Sequence, residues 1–390
     1  ARDRTVGMAA DSESTEVVTV FLRNGADVLL LRRSDAVSSY SGQWGAVAGH
    51  AEGDPEAAAR EEIREETALD PDADVTLVRR GEPFEVVDDD LGTRWVVHPP
   101  LFDARTRDVT TNYETTEGEW APATEIHRRE TVPALWTSYD RVRPTVETVA
   151  GDREHGSSTL SLRALQHLRD EAAVAADRGA TDWGDLAATA RALRNTRPSM
   201  VVIANRVNRA MFDAVDEATP AAVERAATAG IDRALAADER AVTRAAERLP
   251  DRVATLSRSG TVLAALADAA PEFVLVAESR PGREGVDAAE RIGAETDAAV
   301  AVGGDGAFGE LLAEREVDAL LEEARDRGRA PRQSRRRGFL GRLLGLLRGP
   351  RRPPLGGRVP ATDRGVTVTS TVRTLGNRRP SGHRPVGAPR

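Results

Sequence analysis

The chain has 390 residues, 40% of them hydrophobic and 4% aromatic, with 54 basic residues, every one an arginine, against 63 acids and no cysteine. This length exceeds what one core usually serves, so two domains are expected, and the missing thiols exclude a disulfide framework, thiolate metal sites and thiol nucleophiles. No apolar run approaches the roughly 18 residues of a membrane span, and "ARDRTVGMAADSESTE" lacks the apolar centre of a signal peptide, so a cytoplasmic protein without a membrane partner is predicted.

After a flexible stretch, 1–14, residues 16–33, "EVVTVFLRNGADVLLLRR", predict a hairpin turning at Asn24-Gly25, a pair suited to positive φ. "SSYSGQWGAVAGH" reads as a Gly-punctuated loop and short strand. Asp54-Pro55, a cap followed by proline at the first helical position, opens a helix to about Ala68. Strands follow at 75–79, 84–87, 94–102 and near Trp120, and "PATEIHRRETVPALW" supplies a short closing helix. The result is a mixed-sheet α/β/α domain over 15–145.

In "AGDREHGSSTLSLRAL", Gly151, Asp152 and Gly156 break the chain, and Ser157 or Ser158 can cap the next helix. From 152 to 250 the pattern is helical, with Leu160, Leu165, Leu168, Leu186 and Leu193 at helix-like intervals. At 251 "DRVATLSRSGTVLAALADAAPEFVLVAES" reads strand, polar Gly loop, helix, strand, a βαβ unit that implies a parallel sheet. A helix at "GVDAAERIG" and another from Phe308 to Ala324 extend this Rossmann-like part to 324. Residues 325–390 have little periodicity beyond "FLGRLLGLL", and their Arg, Gly and Pro content predicts disorder.

The helix near residue 60 raises the first functional question. Glu61, Glu62, Glu65 and Glu66 fall within about 140° of arc at 100° per residue. Like charges four apart each cost roughly 0.2 to 0.5 kcal/mol when nothing neutralises them. A hard divalent ion removes that repulsion, taking carboxylate oxygens together with substrate phosphates. A solvated face in an acidic protein is the other reading.

The surroundings favour the cation. "GHAEGDPEAAAREEIREETA", placed after "QWGAVA", resembles the Nudix box, a Gly loop followed by a helix of pattern Arg-Glu-apolar-x-Glu-Glu-x-Gly. "LLLRR" and "SGQW" upstream, with "VVHPPLF" and "EWAPATEI" downstream, are similar to Nudix domains as well, so the resemblance covers about residues 15–130. It implies hydrolysis of a nucleoside diphosphate linked to another group, with Glu62, Glu65 and Glu66 as the catalytic set holding Mg²⁺ or Mn²⁺, and a nucleotide-derived substrate. Glu114 in "NYETTEGEW" is a candidate base from outside the box. Three departures stand out: the box Arg falls on Glu61 with Arg60 one residue early, Ala68 replaces the closing Gly, and the Gly49 loop is about two residues short of the usual spacing. A Nudix branch that isomerises isopentenyl diphosphate uses an active-site Cys, absent here.

In the second half, Ser257 to Thr261 form a polar loop feeding a helix, where free N–H groups favour an anion. Arg258, Arg280 and Arg283 could add charge-assisted contacts to Ser259, Gly260 and Thr261 as a phosphate site; a simple helix cap is the plainer reading. "HGSSTLSLRALQHL", "RPSMVVIANRV", "TLSRSGTVLAAL" and "VAESRPGREG", in this order, resemble the family of translation initiation factor 2B alpha, beta and delta subunits and of ribose-1,5-bisphosphate and methylthioribose-1-phosphate isomerases, over about 152–321. The resemblance implies a helical part, a Rossmann-like part, a homodimer through the latter, and initiation factor 2 as a candidate partner. Those isomerases use a Cys and an Asp. The Cys is missing here, as is a later stretch with "GAD" and "NKxGT", so sugar-phosphate or nucleotide sensing is expected rather than isomerisation.

From Arg325 onward 18 Arg face 2 acids, which leaves 36 Arg against 61 acids in front. An Arg-rich arm for nucleic acid, a membrane-surface helix at "FLGRLLGLLR", and a shifted reading frame of a GC-rich gene are three readings. The coincidence of charge reversal with a truncated domain favours the third, so neither nucleic acid nor membrane is predicted as a partner. The acid excess ahead of that break suits a salt-rich cytoplasm of haloarchaeal type, where carboxylate repulsion is screened, although a GC-rich genome alone also exchanges Lys for Arg.

Overall fold

Glycine at the first turn sets the architecture in motion. Gly25 takes φ +63°, and β1 (Ser14–Asn24) and β2 (Asp27–Arg33) pair antiparallel with Asn24 opposite Asp27. The structure, a computed structural model, describes residues 14–51, 53–256 and 258–323, with the strand 370–374. The order continues with β3 (Trp44–Gly45), β4 (Val47–His50), α1 (Pro55–Thr67), β5 (Val75–Arg80), β6 (Phe84–Asp88), β7 (Thr93–His98), β8 (Pro100–Ala104), β9 (Thr115–Ala121), a 3-10 helix (Ala123–His127), α2 (Leu135–Asp140) and α3 (Val146–Gly151).

β1 is the spine. Its first part lies between antiparallel β4 and parallel β7, and its last residues run between antiparallel β2 and parallel β8. Side chains alternate across a strand, so Val18, Val20 and Leu22 enter one core with Ala59 and Ile63 of α1. Phe21 enters the opposite core with Leu135 and Tyr139 of α2. The sheet is thus covered by helix on both faces, the expected mixed α/β/α arrangement.

Several boundaries differ from the sequence expectation. The strand foreseen at 94–102 is two strands, because Pro99 and Pro100 lack the N–H that a continuous ladder needs. The single closing helix is a 3-10 helix and α2, divided where Val132 N–H donates to the Trp44 carbonyl at 2.9 Å. Ser14, counted with the flexible N-terminus, already belongs to β1.

Asp54 caps α1, its carboxylate accepting the Glu56 N–H at 3.0 Å, and Pro55 opens the helix as expected. At the other end Ala68 adopts φ 58° and ψ 13°, the left-handed conformation. That conformation crowds Cβ against the carbonyl and is the reason glycine commonly follows a helix.

The helical part comprises α4 (Ser157–Asp177), α5 (Gly184–Thr196), α6 (Val201–Asp213) and α7 (Pro220–Ala246). Among the described residues two compact units emerge: one holds those up to Arg153 together with Thr159–Asp232, and the other holds Glu154–Ser158 and those from Arg233 onward. Within the first unit a buried polar seam ties α4 to the β1–β2 turn and to α2. Arg23 grips Asp103 with two bonds of 2.6 and 2.9 Å, while Arg163 reaches the Gly25 carbonyl at 2.9 Å. Arg169, fully buried, donates to the Ala26 carbonyl and pairs with the equally buried Asp170. Arg143 of the α2–α3 connection bonds Glu171 at 2.6 Å and contacts His167.

In the second unit β10 (Arg252–Thr255), α8 (Gly260–Ala269), β11 (Phe273–Ala277), α9 (Glu284–Glu295), β12 (Ala299–Gly303), α10 (Phe308–Glu314) and β13 (Ala319–Glu323) build a sheet of order β12-β11-β10-β13, all parallel. The helix expected from Phe308 to Ala324 therefore stops at Glu314. Glu316 turns the chain with φ 51°, and Ala319, Leu320 and Leu321 are buried beside β10, which favours a strand. β14 (Ser370–Thr374) adds an antiparallel edge to β13, so these five residues of the segment expected to be disordered are ordered. The rest of 325–390, including "FLGRLLGLLR", lies outside the described residues, as do 1–13. Among the described residues no helix is long and apolar enough to cross a membrane.

Two outcomes follow. Replacing Ala68 by Gly relieves the left-handed strain and should stabilise the protein by about 1 kcal/mol, read from the denaturant midpoint. Asp170→Ala leaves Arg169 buried without its counter-charge and should cost about 3 to 5 kcal/mol in the same measurement.

Candidate active site

The acidic helix packs where α1 crosses β4. Ala59 and Ile63 anchor its apolar side, which turns Glu62 and Glu66 toward the strand and leaves Glu61 and Glu65 exposed. Glu66 is buried, and one of its oxygens accepts the Ala48 N–H at 3.1 Å. Burial pushes its carboxyl up to about 8, with Glu62 and Glu114 adding repulsion while that bond and Arg33 oppose the rise.

Glu62 rests against the backbone of Gly49. A Cβ at position 49 would fall 1.6 Å from Glu62 Oε1, so no residue larger than glycine fits while the carboxylate lies there. Desolvation raises the Glu62 carboxyl, and Glu65, Glu114 and Glu61 add to the shift. Glu65 joins the group through the field it exerts on Glu62.

Glu114 comes from the β8–β9 connection. Thr110 N–H in that connection donates to the Thr67 carbonyl at the end of α1, and Ser34 N–H donates to the Glu114 carbonyl. The exposed Tyr113 ring stands beside Glu114. The candidate base is therefore in the field of both Glu62 and Glu66.

The departures of the box now have physical counterparts. Arg60 is engaged elsewhere than with Glu62, Glu65 or Glu66, donating to the Pro71 carbonyl at 2.7 Å, pairing with Glu56 at 3.4 Å and lying over the Phe102 ring. Glu61, in the box-arginine position, pairs with Arg64. The positive charge felt by Glu66 comes instead from Arg33 on β2. Sequence reasoning did not single out Arg33 or the Ala48 N–H, and it read Gly49 only as the start of a shortened loop, although "LLLRR" contained Arg33.

Among the described residues no group of three or more His, Asp or Glu side chains stands ready-made as a metal cage. The donor chemistry nonetheless fits a hard divalent ion. Two desolvated carboxylates that repel one another, with two more acids in range, are hard oxygen donors whose charged forms are short of a counter-charge. A cavity of about 520 Å³ opens at the opposite end of α1, lined by Asp54, Glu56, Arg80, His98 and neighbouring prolines. It does not include Glu62, Glu65 or Glu66.

The expected phosphate site of the second unit is only partly assembled. Gly260 and Thr261 open α8, with Arg258 and Ser259 immediately before it, and the Ser259 side chain does not cap the helix. Arg280 and Arg283 both turn to Glu278, at 2.6 and 3.3 Å. Asp305 accepts the Ser279 and Arg280 N–H groups at 2.8 Å each, fixing that loop.

The NUDIX domain model matches residues 14–145, and the Initiation factor 2 subunit family model matches 153–321. The family models place their border elsewhere than the compact units do, since the second match takes in Thr159–Asp232 of the first unit. Similar solved structures include a Nudix hydrolase from M. smegmatis, with 21% identity over 34% of this chain and 83% of that one and a TM-score of 0.28. The MutT protein from Methanosarcina mazei Go1 has 22% identity over 34% of this chain and 95% of its own, with a TM-score of 0.29. The 5-methylthioribose 1-phosphate isomerase from Pyrococcus horikoshii OT3 has 18% identity over 45% of this chain and 55% of its own, with a TM-score of 0.37. No curated protein matches the chain. The chain joins a NUDIX domain, residues 14–145, to an initiation factor 2 subunit family domain, residues 153–321.

Proposed function

We propose that the first domain hydrolyses the diphosphate anhydride of a nucleoside diphosphate derivative, with Mg²⁺ or Mn²⁺ held by Glu62, Glu65 and Glu66. The observation that carries this reading is the desolvated pair Glu62 and Glu66, set against Gly49 and the Ala48 N–H where no side chain neutralises both. The bound ion supplies charge neutralisation at the diphosphate and a lower pKa for the attacking water.

The chain's own part is positioning. The Ala48 N–H fixes one oxygen of Glu66 and leaves the other for a ligand. Gly49 gives the Glu62 carboxylate its seat. Arg33 places a positive charge beside Glu66 and near the substrate's phosphates. Glu114, held in the same field, takes a proton from water as the oxygen attacks phosphorus and the anhydride P–O bond breaks. Removing a group that orients a metal ligand typically costs 10- to 100-fold, so without a box arginine these backbone supports do the orienting.

In the second domain the β10–α8 loop, Arg258 to Thr261, lies at the carboxyl end of β10, where the strand order reverses between β11 and β13. Crevices of open parallel sheets form at such points. This supports a sugar-phosphate or nucleotide site there, with Arg280 and Arg283 exchanging Glu278 for the ligand. Isomerase chemistry is not part of the proposal, since no thiol is present. A non-catalytic regulatory role for the first domain is the second reading, favoured by the displaced box arginine.

Release of nucleoside monophosphate from a panel of nucleoside diphosphate derivatives with Mg²⁺ separates the two. Glu65→Gln should lower the rate by about 100-fold or more, the upper end of what losing mere supports costs. Equal rates in both proteins would reject the catalytic assignment.

Glu66 gives a second test. Its folded pKa of about 8 stands above the ordinary value, about 4.3, so between these limits the folded state binds a proton that the unfolded state lacks. Stability is then present below the lower limit and lost as pH rises toward 8. The metal-free thermal midpoint should fall on the order of 10 °C from pH 5 to pH 8. Glu66→Gln should flatten that slope, and saturating Mg²⁺ should restore the wild-type midpoint at pH 8.

A further inference from the structure

Glu114 is held more completely than a connection between strands requires. Its own carbonyl accepts the Ser34 N–H at 2.7 Å, and the carbonyl just before it, that of Tyr113, accepts the Ser34 hydroxyl at 2.8 Å. The Glu114 N–H donates to Asn112 Oδ1 at 2.9 Å. Peptide units are planar, so pinning the carbonyls on both sides of one Cα fixes its φ and ψ and with them the direction of its side chain. Ser34 is itself buried and oriented, since its hydroxyl oxygen accepts the Ala36 N–H at 3.1 Å.

The ladder beside it serves the same end. Where β2 pairs with β9, Arg32 faces Glu117 and Arg33 faces Thr115, which leaves Thr116 without an opposite residue and its hydroxyl on the Arg32 carbonyl at 3.2 Å. Such a one-residue bulge turns the side chains that precede it to the other face of the strand. Glu114 directly precedes Thr115, and its charge acts on both Glu62 and Glu66 of α1. Arg33, the neighbour of Ser34, acts on Glu66 as well. The end of β2 therefore delivers a positive charge and a clamp to one corner.

We infer that Ser34, assisted by Asn112, is a positioning residue of the hydrolytic reaction: it aims the Glu114 carboxylate at the water that attacks phosphorus and touches neither substrate nor metal itself. This rests on the hydrolase reading with Glu114 as its base, and it deepens that reading. A serine bonding a nearby N–H is ordinarily a turn feature. Here the hydroxyl and the N–H of one serine converge on one glutamate. Any residue at position 34 would bring the N–H, whereas the second bond needs a short hydroxyl side chain. A base must lie within hydrogen-bond reach of the proton it takes, and a misplacement of about 1 Å can cost about 100-fold in rate.

The test is hydrolysis of ADP-ribose, UDP-glucose and NAD by the full chain with Mg²⁺, read as nucleoside monophosphate released. Ser34→Ala should lower kcat about tenfold or more and leave KM within about twofold, the pattern of a group that acts in the transition state alone. Asn112→Ala, at a half-buried position, should lower kcat in the same way and keeps the test decisive should Ser34→Ala fail to fold. Ser34→Thr keeps the hydroxyl and should restore kcat to within about threefold of wild type. In a Glu114→Gln background Ser34→Ala should cost nothing further, because residues that act through one another are not additive. A merely structural serine would slow both backgrounds alike. Losses that multiply in the double variant, a loss that falls on KM, or wild-type kcat in Ser34→Ala overturns the inference and leaves the hydrolase standing. A wild type that releases no nucleoside monophosphate from any of the three rejects the hydrolase reading and this inference with it.

Discussion

A carboxylate drawn out of water beside other carboxylates is the constraint from which the first domain is organised. Glu66 and Glu62 can occupy the corner between α1 and β4 only because the strand offers a backbone N–H at Ala48 and the empty flank of Gly49. Both concessions are made by main chain. They require β4 to hold its register against β1 and α1 to keep Ala59 and Ile63 in the core below. The hydrophobic packing thus serves an electrostatic end, since it fixes two carboxyl groups where their charged forms are disfavoured by burial and by each other.

Much of this was legible in the sequence because the signals were local. The Asn24-Gly25 turn, the Asp54-Pro55 helix start and the spacing of Glu62, Glu65 and Glu66 each depend on residues a few positions apart. What escaped depends on partners distant in the chain. Nothing near Arg33 says that it lies beside Glu66, and the role of Gly49 appears only when α1 is laid across it. Residues 308–324 were misread in part for the same reason: Ala319–Leu321 carries a helix-compatible composition, and only the bond-forming edge of β10 makes it a strand.

The second half shows the limits of motif reading differently. Its strand-loop-helix order was evident from "TLSRSGTVLAAL", and the parallel sheet followed. Yet two of the arginines expected to meet a phosphate are engaged with Glu278. Proximity in sequence to a Gly loop does not fix where a long side chain finds its counter-charge. An exposed arginine pair sharing one carboxylate is, however, readily reorganised, because surface ion pairs contribute little.

The seam around α4 bears on how the two families are joined. The boundary between the matched families falls just ahead of this helix, whereas Arg163 on it is bound to Asp103 and the Gly25 carbonyl, Arg169 to the Ala26 carbonyl, and Asp170 to the Tyr139 hydroxyl of α2. Such charges are tolerated inside a protein only while their partners travel with them. A cut at the family border would therefore part Arg163 from Asp103 and Arg169 from the Ala26 carbonyl, exposing groups that the intact chain keeps matched.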